Sequence, residues 1–173
     1  VDDPKGSLSV YGKTKLAGKN FVREILDKYF IIRISWVFGI NGHNFIKTML
    51  SLAYKGLKEI NVVSDQIGSP TYTYDLSKLM CDMMITERYG TYHATNEGFC
   101  SWAEFADYIF KTAGIDMKVN PVTTEVYKKL VLNQADRPLN CRLSKQSLIH
   151  ARFSLLSSWQ DAVKRYIHNE LKR

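Results

Sequence analysis

Short β-branched or aromatic runs alternate with helical patterns along this chain, and that alternation constrains the fold more than any other feature. Tyr29–Trp36 (YFIIRISW), Ile60–Ser64, Gly90–Ala94 and Met117–Val122 read as strands. Helical patterns fill the intervals: Ser7–Lys28, Asn44–Tyr54, Asp75–Thr86, Ser101–Ala113, Thr124–Leu132, Ser144–His150 and Ser158–Leu171. Ser101, with Glu104 three residues on and Gly114 as the stop, spells a capping box and a C-terminal glycine. Strands separated by helices of this length require parallel pairing through crossovers, so the fold class is α/β. Asp65–Thr73 (DQIGSPTYT) is a polar turn region, and Asn133–Asn140 (NQADRPLN) is an irregular loop.

The chain has 173 residues, of which 45% are apolar. That is enough to build one core, and it excludes disordered and fibrous classes. The net charge of +7 is spread along the sequence without a basic cluster or a nucleic-acid-binding module, so no nucleic-acid partner is expected. No apolar run reaches the roughly 20 residues of a spanning helix, so no membrane role is expected. The three cysteines (Cys81, Cys100, Cys141) and four histidines show no ligand spacing. No metal site is therefore expected, and reduced thiols suit a cytoplasmic setting. The chain opens at Val1 in a loop-like stretch with no initiator Met, which reads as the continuation of something longer.

Tyr11-Gly12-Lys13-Thr14-Lys15 is the most informative short segment. It puts a Tyr and a Lys one helical turn apart on the same face. An ammonium beside a phenol stabilises the phenolate and brings its proton into play near neutral pH, so such a pair can act as a tuned general acid. By spacing alone the motif is weak, and an exposed Tyr/Lys pair on a basic helix is the readier account. Asn44 opens a helix whose amide end favours anions, and an ordinary cap is the other reading. Arg137 stands before Pro138 and is a candidate diphosphate contact or a surface arginine.

Larger segments carry a resemblance. SVYGKTKLAGK (9–19), RISWVFG (33–39), NFIKTML (44–50), VVSDQIGSPTYTYDL (62–76), GTYHATNEG (90–98) and RPLNCRL (137–143) occur in this order. Together they resemble the dTDP-4-dehydrorhamnose reductases of the extended short-chain dehydrogenase/reductase superfamily.

The resemblance implies the C-terminal part of a Rossmann-like doubly wound parallel sheet plus a smaller α/β substrate lobe. Residues 1–70 would hold the catalytic helix and 71–173 mainly the nucleotide-sugar lobe. It implies reduction of the C4 keto group of dTDP-4-dehydro-L-rhamnose with hydride from NADPH or NADH. It makes Tyr11 the proton donor, Lys15 its tuner and ribose contact, and Trp36 the surface against the deoxysugar. Trp36 as a plain core aromatic remains the alternative, and Asp65, Gln66 and Thr71 read first as structural.

The strand–GxxGxxG–helix unit with which that superfamily begins is not in this sequence, and neither is the Thr or Ser expected upstream of the Tyr. The expectation is therefore that the chain alone does not turn over. It should also leave an apolar patch exposed, or pair with a second copy as a homodimer. A non-catalytic binding module of the same fold, or a related nucleotide-sugar epimerase or dehydratase, are the other readings.

Overall fold

A computed structural model describes residues 10–131 and 137–171. In chain order the elements are α1 (Val10–Ile25), β1 (Phe30–Arg33), β2 (Val37–Phe38), α2 (Phe45–Tyr54), β3 (Glu59–Val63), β4 (Ile67–Gly68) and β5 (Thr71–Tyr72). They continue with α3 (Thr73–Met84), β6 (Gly90–His93), β7 (Cys100–Ser101), α4 (Trp102–Ala113), β8 (Lys118–Val122), α5 (Thr124–Leu130), α6 (Gln146–His150) and α7 (Trp159–Arg165). A π-helical stretch, Tyr166–Leu171, prolongs α7.

The α/β class and the parallel pairing are as expected. β1 runs parallel to β6, β2 to β5 and β3 to β8, and β4 pairs antiparallel with β7. The strand expected to run to Trp36 stops at Arg33. The chain then kinks, because Trp36 sits in the left-handed region at φ 48°, which a bulky side chain seldom adopts. The two-residue strands β2, β4, β5 and β7 went unforeseen, since a pair of residues carries no alternation to read. The first residues of the helix expected over Ser7–Lys28, up to Ser9, lie outside the described residues, as do 133–136 of the expected loop.

Two apolar clusters hold the elements together. The larger gathers Phe38, Ile46, Phe105, Ile109, Trp159 and Tyr166 from β2, α2, α4, α7 and the π-helical stretch. The smaller gathers Leu76, Leu79, Met83, Tyr92, Leu148 and Phe153, with Phe30 and Ile32 packed against it. Each fully buried ring or branched side chain contributes on the order of 2 kcal/mol. Both clusters draw on residues from either side of position 70, so packing interleaves the two stretches of chain.

The caps follow the sequence. Ser101 and Glu104 close the capping box on α4, and Gly114 takes the left-handed conformation at its end. Arg165 forks onto Asp75 with contacts of 2.8 and 2.7 Å, tying α7 to α3. Asn96 and Ser157 donate to the same carboxylate. Burial pushes the Asp75 carboxyl up, but the Arg165 guanidinium and the Asn96 amide together outweigh it and hold it below its ordinary value.

α1 stands apart: it has no buried residue. Its Val10, Phe21 and Ile25 are 78%, 60% and 77% exposed. Among the described residues, β1 pairs on one side only.

Candidate functional site

A cavity of about 350 Å³ opens between α2, β3, α4 and α5. That lies within the size range of small-molecule sites. Phe45 and Met49 of α2, Ile60–Val63 of β3, Trp102 of α4, Tyr127 and Lys128 of α5, and Gln66, Thr124 and Arg137 line it. The walls are mainly apolar and aromatic, and Arg137 and Lys128 supply positive charge.

The polar loop Asp65–Thr73 builds this region from one end to the other. Both Asp65 carboxylate oxygens accept from the Thr124 backbone N–H at 3.0 Å, and the Thr124 hydroxyl donates to Asp65 at 2.6 Å. An acid at a helix N-terminus satisfies open amides and faces the positive end of the dipole. Burial works to raise the Asp65 carboxyl, yet the Thr124 hydrogen bonds prevail and keep it below its ordinary value. Gln66 is buried and its amide donates to the Thr124 hydroxyl at 3.0 Å. The DQ dipeptide thus fixes α5 as a cavity wall.

Further along the loop, Gly68 lies against the Trp36 indole. Thr71 donates to the Ser35 carbonyl at 2.6 Å, and its backbone N–H donates to the Trp36 carbonyl at 3.1 Å. The Ser35 hydroxyl donates to Ser69 at 2.7 Å. These bonds hold the unusual Trp36 backbone in place. The Trp36 ring stacks on Trp102 at 3.7 Å between centroids and 16° between planes.

The site residues expected from the sequence fall into two groups. Arg137 is on the cavity wall, and Trp36 stands directly behind its Trp102 wall. Asn44 caps α2: its carbonyl oxygen accepts from Lys47 N, and its amide donates to Gly39 at 2.9 Å and Tyr166 at 3.1 Å. All of these are fold contacts, and Asn44 does not line the cavity.

Tyr11 and Lys15 share the exposed face of α1 as their spacing requires, with the Lys15 ammonium 5.6 Å from the Tyr11 ring centroid. They are likewise absent from the cavity wall, and Tyr11 is 72% exposed. An exposed hydroxyl and ammonium one turn apart suit the two hydroxyls of a ribose.

Sequence reasoning missed Trp102, Phe45 and Tyr127. A signal for Trp102 was present, since an indole at the first position of a well-capped helix is an expensive choice for a solvated turn.

His93 is buried, with its ring nitrogens 3.1 Å from Arg33 Nη1 and 3.0 Å from the Ser144 carbonyl. That agrees with a structural role. Among the described residues no His, Cys, Asp or Glu group is arranged to hold a metal, and no helix is long and apolar enough to cross a membrane.

Comparison with known proteins gives consistent results. The family described as RmlD substrate binding domain matches residues 1–172. The spore coat polysaccharide biosynthesis protein SpsK of Bacillus subtilis is 40% identical over 166 residues, covering 96% of this chain and 56% of that protein. The dTDP-4-dehydrorhamnose reductase of Aggregatibacter actinomycetemcomitans is 39% identical over 170 residues, covering 91% of this chain and 56% of that protein.

Among solved structures, the dTDP-4-dehydrorhamnose reductase of Bacillus anthracis in complex with NADP superposes with a TM-score of 0.88 at 41% identity, covering 96% of this chain and 57% of that one. The counterpart from Clostridium acetobutylicum gives 0.92 at 40% identity, covering 99% and 59%. The chain therefore spans somewhat more than half the length of the relatives it matches.

Proposed function

This chain belongs to the RmlD substrate-binding-domain family, and we propose that it is the substrate-binding and proton-donating part of a dTDP-4-dehydrorhamnose reductase. The reaction is reduction of the C4 keto group of dTDP-4-dehydro-L-rhamnose to the alcohol of dTDP-L-rhamnose, in the cytoplasm, for polysaccharide synthesis. The observation that carries the reading is the aromatic-walled cavity with Arg137 on its wall, backed by the Trp36–Trp102 stack.

In this reading the cavity takes the nucleotide. Arg137 offers its planar fork of donors to the diphosphate. Asn44, at the capped N-terminus of α2, would lie near the same diphosphate, where the positive end of a helix favours negative charge. Trp36 meets the deoxysugar. Tyr11 holds the proton that the C4 oxygen receives, and the Lys15 ammonium favours the phenolate left behind.

A nicotinamide dinucleotide, NADPH or NADH, supplies the hydride when bound, and Tyr11 and Lys15 are the residues here that suit its ribose. With no phosphate-cradling loop in these 173 residues, the chain by itself binds nucleotide but does not turn over. A homodimer in which the exposed apolar side chains of α1, such as Phe21 and Ile25, meet the second copy and Tyr11 and Lys15 stay open belongs to the same proposal.

The test is calorimetric titration of the chain with dTDP, followed by assay of the chain joined to the dinucleotide-binding half of a close relative. Binding without turnover in the first and NAD(P)H-dependent turnover in the second are expected. A chain that binds no dTDP overturns the reading.

A further inference from the structure

We propose that Thr71 is a positioning residue for the reaction: its hydroxyl and its backbone N–H together hold the turn at Trp36, and through that turn they set how the deoxysugar is recognised. The proposal deepens the reading above and rests on its assignment of Trp36 to the sugar.

Three observations lead here. First, the backbone at Trp36 stands against its own preference. β1 ends at Arg33, β2 begins at Val37, and between them Trp36 takes φ 48°. A β-branched and aromatic run favours extended backbone. A bulky side chain in the left-handed region persists only where its surroundings hold it there.

Second, one residue supplies that hold. In extended backbone, successive carbonyls point to opposite edges of the strand, so a single neighbour does not reach both. Here the Ser35 carbonyl accepts from the Thr71 hydroxyl at 2.6 Å, and the Trp36 carbonyl accepts from the Thr71 N–H at 3.1 Å. The pair of bonds needs a hydroxyl donor beside the N–H, which Thr and Ser have and Val lacks. Thr71 is fully buried, so water does not stand in for a missing donor.

Third, Thr71 is itself fixed from the opposite side. The Pro70 carbonyl accepts from Asn96 N at 3.3 Å, the Tyr72 N–H donates to the Asn96 side chain at 2.8 Å, and the Ser69 hydroxyl donates to the Gly98 carbonyl at 2.6 Å. A clamp on so rigid a base passes its position to what it holds. Trp102 on one face of the indole and Gly68 beside it then fix where the ring lies. Displacing a contact residue by about an ångström is enough to spoil recognition. Thr71, being buried, takes part only through Trp36.

The experiment is calorimetric titration of the 173-residue chain with dTDP and with dTDP-L-rhamnose, for wild type, Thr71→Val, Thr71→Ser and Ser35→Ala, each first checked for folding by thermal melt. The ratio of the two affinities reads the sugar contact apart from the nucleotide. Circular dichroism of the stacked Trp36–Trp102 pair, without ligand, reads the seat of the indole. Wild type is expected to bind dTDP-L-rhamnose more tightly than dTDP. Thr71→Val is expected to lower that ratio about two- to tenfold, the worth of one hydrogen bond, and to alter the pair signal. Thr71→Ser is expected to restore both. Ser35→Ala, which removes the bond from Ser35 to the Ser69 carbonyl, is expected to act in the same direction as Val.

A folded Thr71→Val chain with the wild-type ratio or the wild-type pair signal, a Ser variant that behaves as Val does, or a wild type that gains nothing from the sugar overturns this inference and leaves the nucleotide reading standing. If Val does not fold, Ser35→Ala decides by the same two measurements. A wild-type chain that binds neither ligand overturns both.

Discussion

Gly68 and the Trp36 indole are in such close contact that a Cβ on residue 68 would come within 2.8 Å of Cε2 of Trp36. The constraint is steric, since Gly68 is not among the glycines with positive φ. Gly68→Ala must push the indole off its seat, and with it the stack on Trp102. Overpacking of this kind costs about 1–3 kcal/mol. A urea titration should show that loss, and dTDP binding should weaken; an unchanged midpoint with unchanged binding contradicts the contact.

Asp75 gives the fold an acid limb. Its carboxyl is held below the ordinary value near 3.8, so the stabilisation is fully present above that pH. It is lost as pH falls through the lower folded-state value. Asp75→Asn keeps an acceptor for Asn96 and Ser157 but leaves the Arg165 guanidinium, with 30% of its side chain exposed, short of a counter-charge. A loss of about 1–3 kcal/mol at neutral pH follows. Melting temperatures measured from pH 7 to 2.5 should converge for the two proteins at the acid end.

Asp65 and Gln66 hold the start of α5 through Thr124. Asp65→Ala opens that helix end and should cost about 1–2 kcal/mol. Because Tyr127 and Lys128 on the same helix form cavity wall, affinity for dTDP should fall as well. Hydrogen exchange at the amides of 124–130 is the measurement, and protection equal to wild type contradicts the clamp.

Tyr11→Phe tests the proton donor. In the chain joined to a dinucleotide-binding half, a general acid is worth about 10²- to 10⁴-fold in kcat. Removal of the hydroxyl should lower kcat by that order and leave dTDP affinity unchanged, since Tyr11 stands off the cavity wall. A non-catalytic module or a structural tyrosine predicts no such split.

Ile25 on α1 is 77% exposed. Ile25→Glu should leave the stability of the single chain within about 0.5 kcal/mol. If α1 carries the homodimer, light scattering should find dimer for wild type and monomer for the variant.

Much of the architecture was legible because helix and strand patterns are local. The capping box at Ser101, the glycine stop at Gly114 and the Asn44 cap are each spelled within four residues, and each is found. The strand boundary at Trp36 was not legible. A β-branched, aromatic run favours strand throughout YFIIRISW, and hydrogen bonds from Thr71 of the neighbouring loop to the Ser35 and Trp36 carbonyls, with one from Ser35 to the Ser69 carbonyl, hold the residue at positive φ. The short strands β2, β4, β5 and β7 escaped for a related reason. Two residues take extended form because a distant partner pairs with them, which no local preference announces.

The candidate site divides along the same line. The sequence by itself determined the α/β class, the Tyr11/Lys15 pairing on one helix face and, through its ordered segments, the family to which the chain belongs. Each depends on spacings within one element or on motifs in linear order. Only the tertiary structure decided that Trp102 and not Trp36 faces the cavity, that the DQ dipeptide serves as an anchor for α5, and that Arg165 meets Asp75. Those partners lie far apart in the chain, 59 residues for Asp65 with Thr124 and 90 for Asp75 with Arg165. Such contacts form only after crossovers bring separate elements together, when burial and the need to satisfy every polar group select which side chains meet.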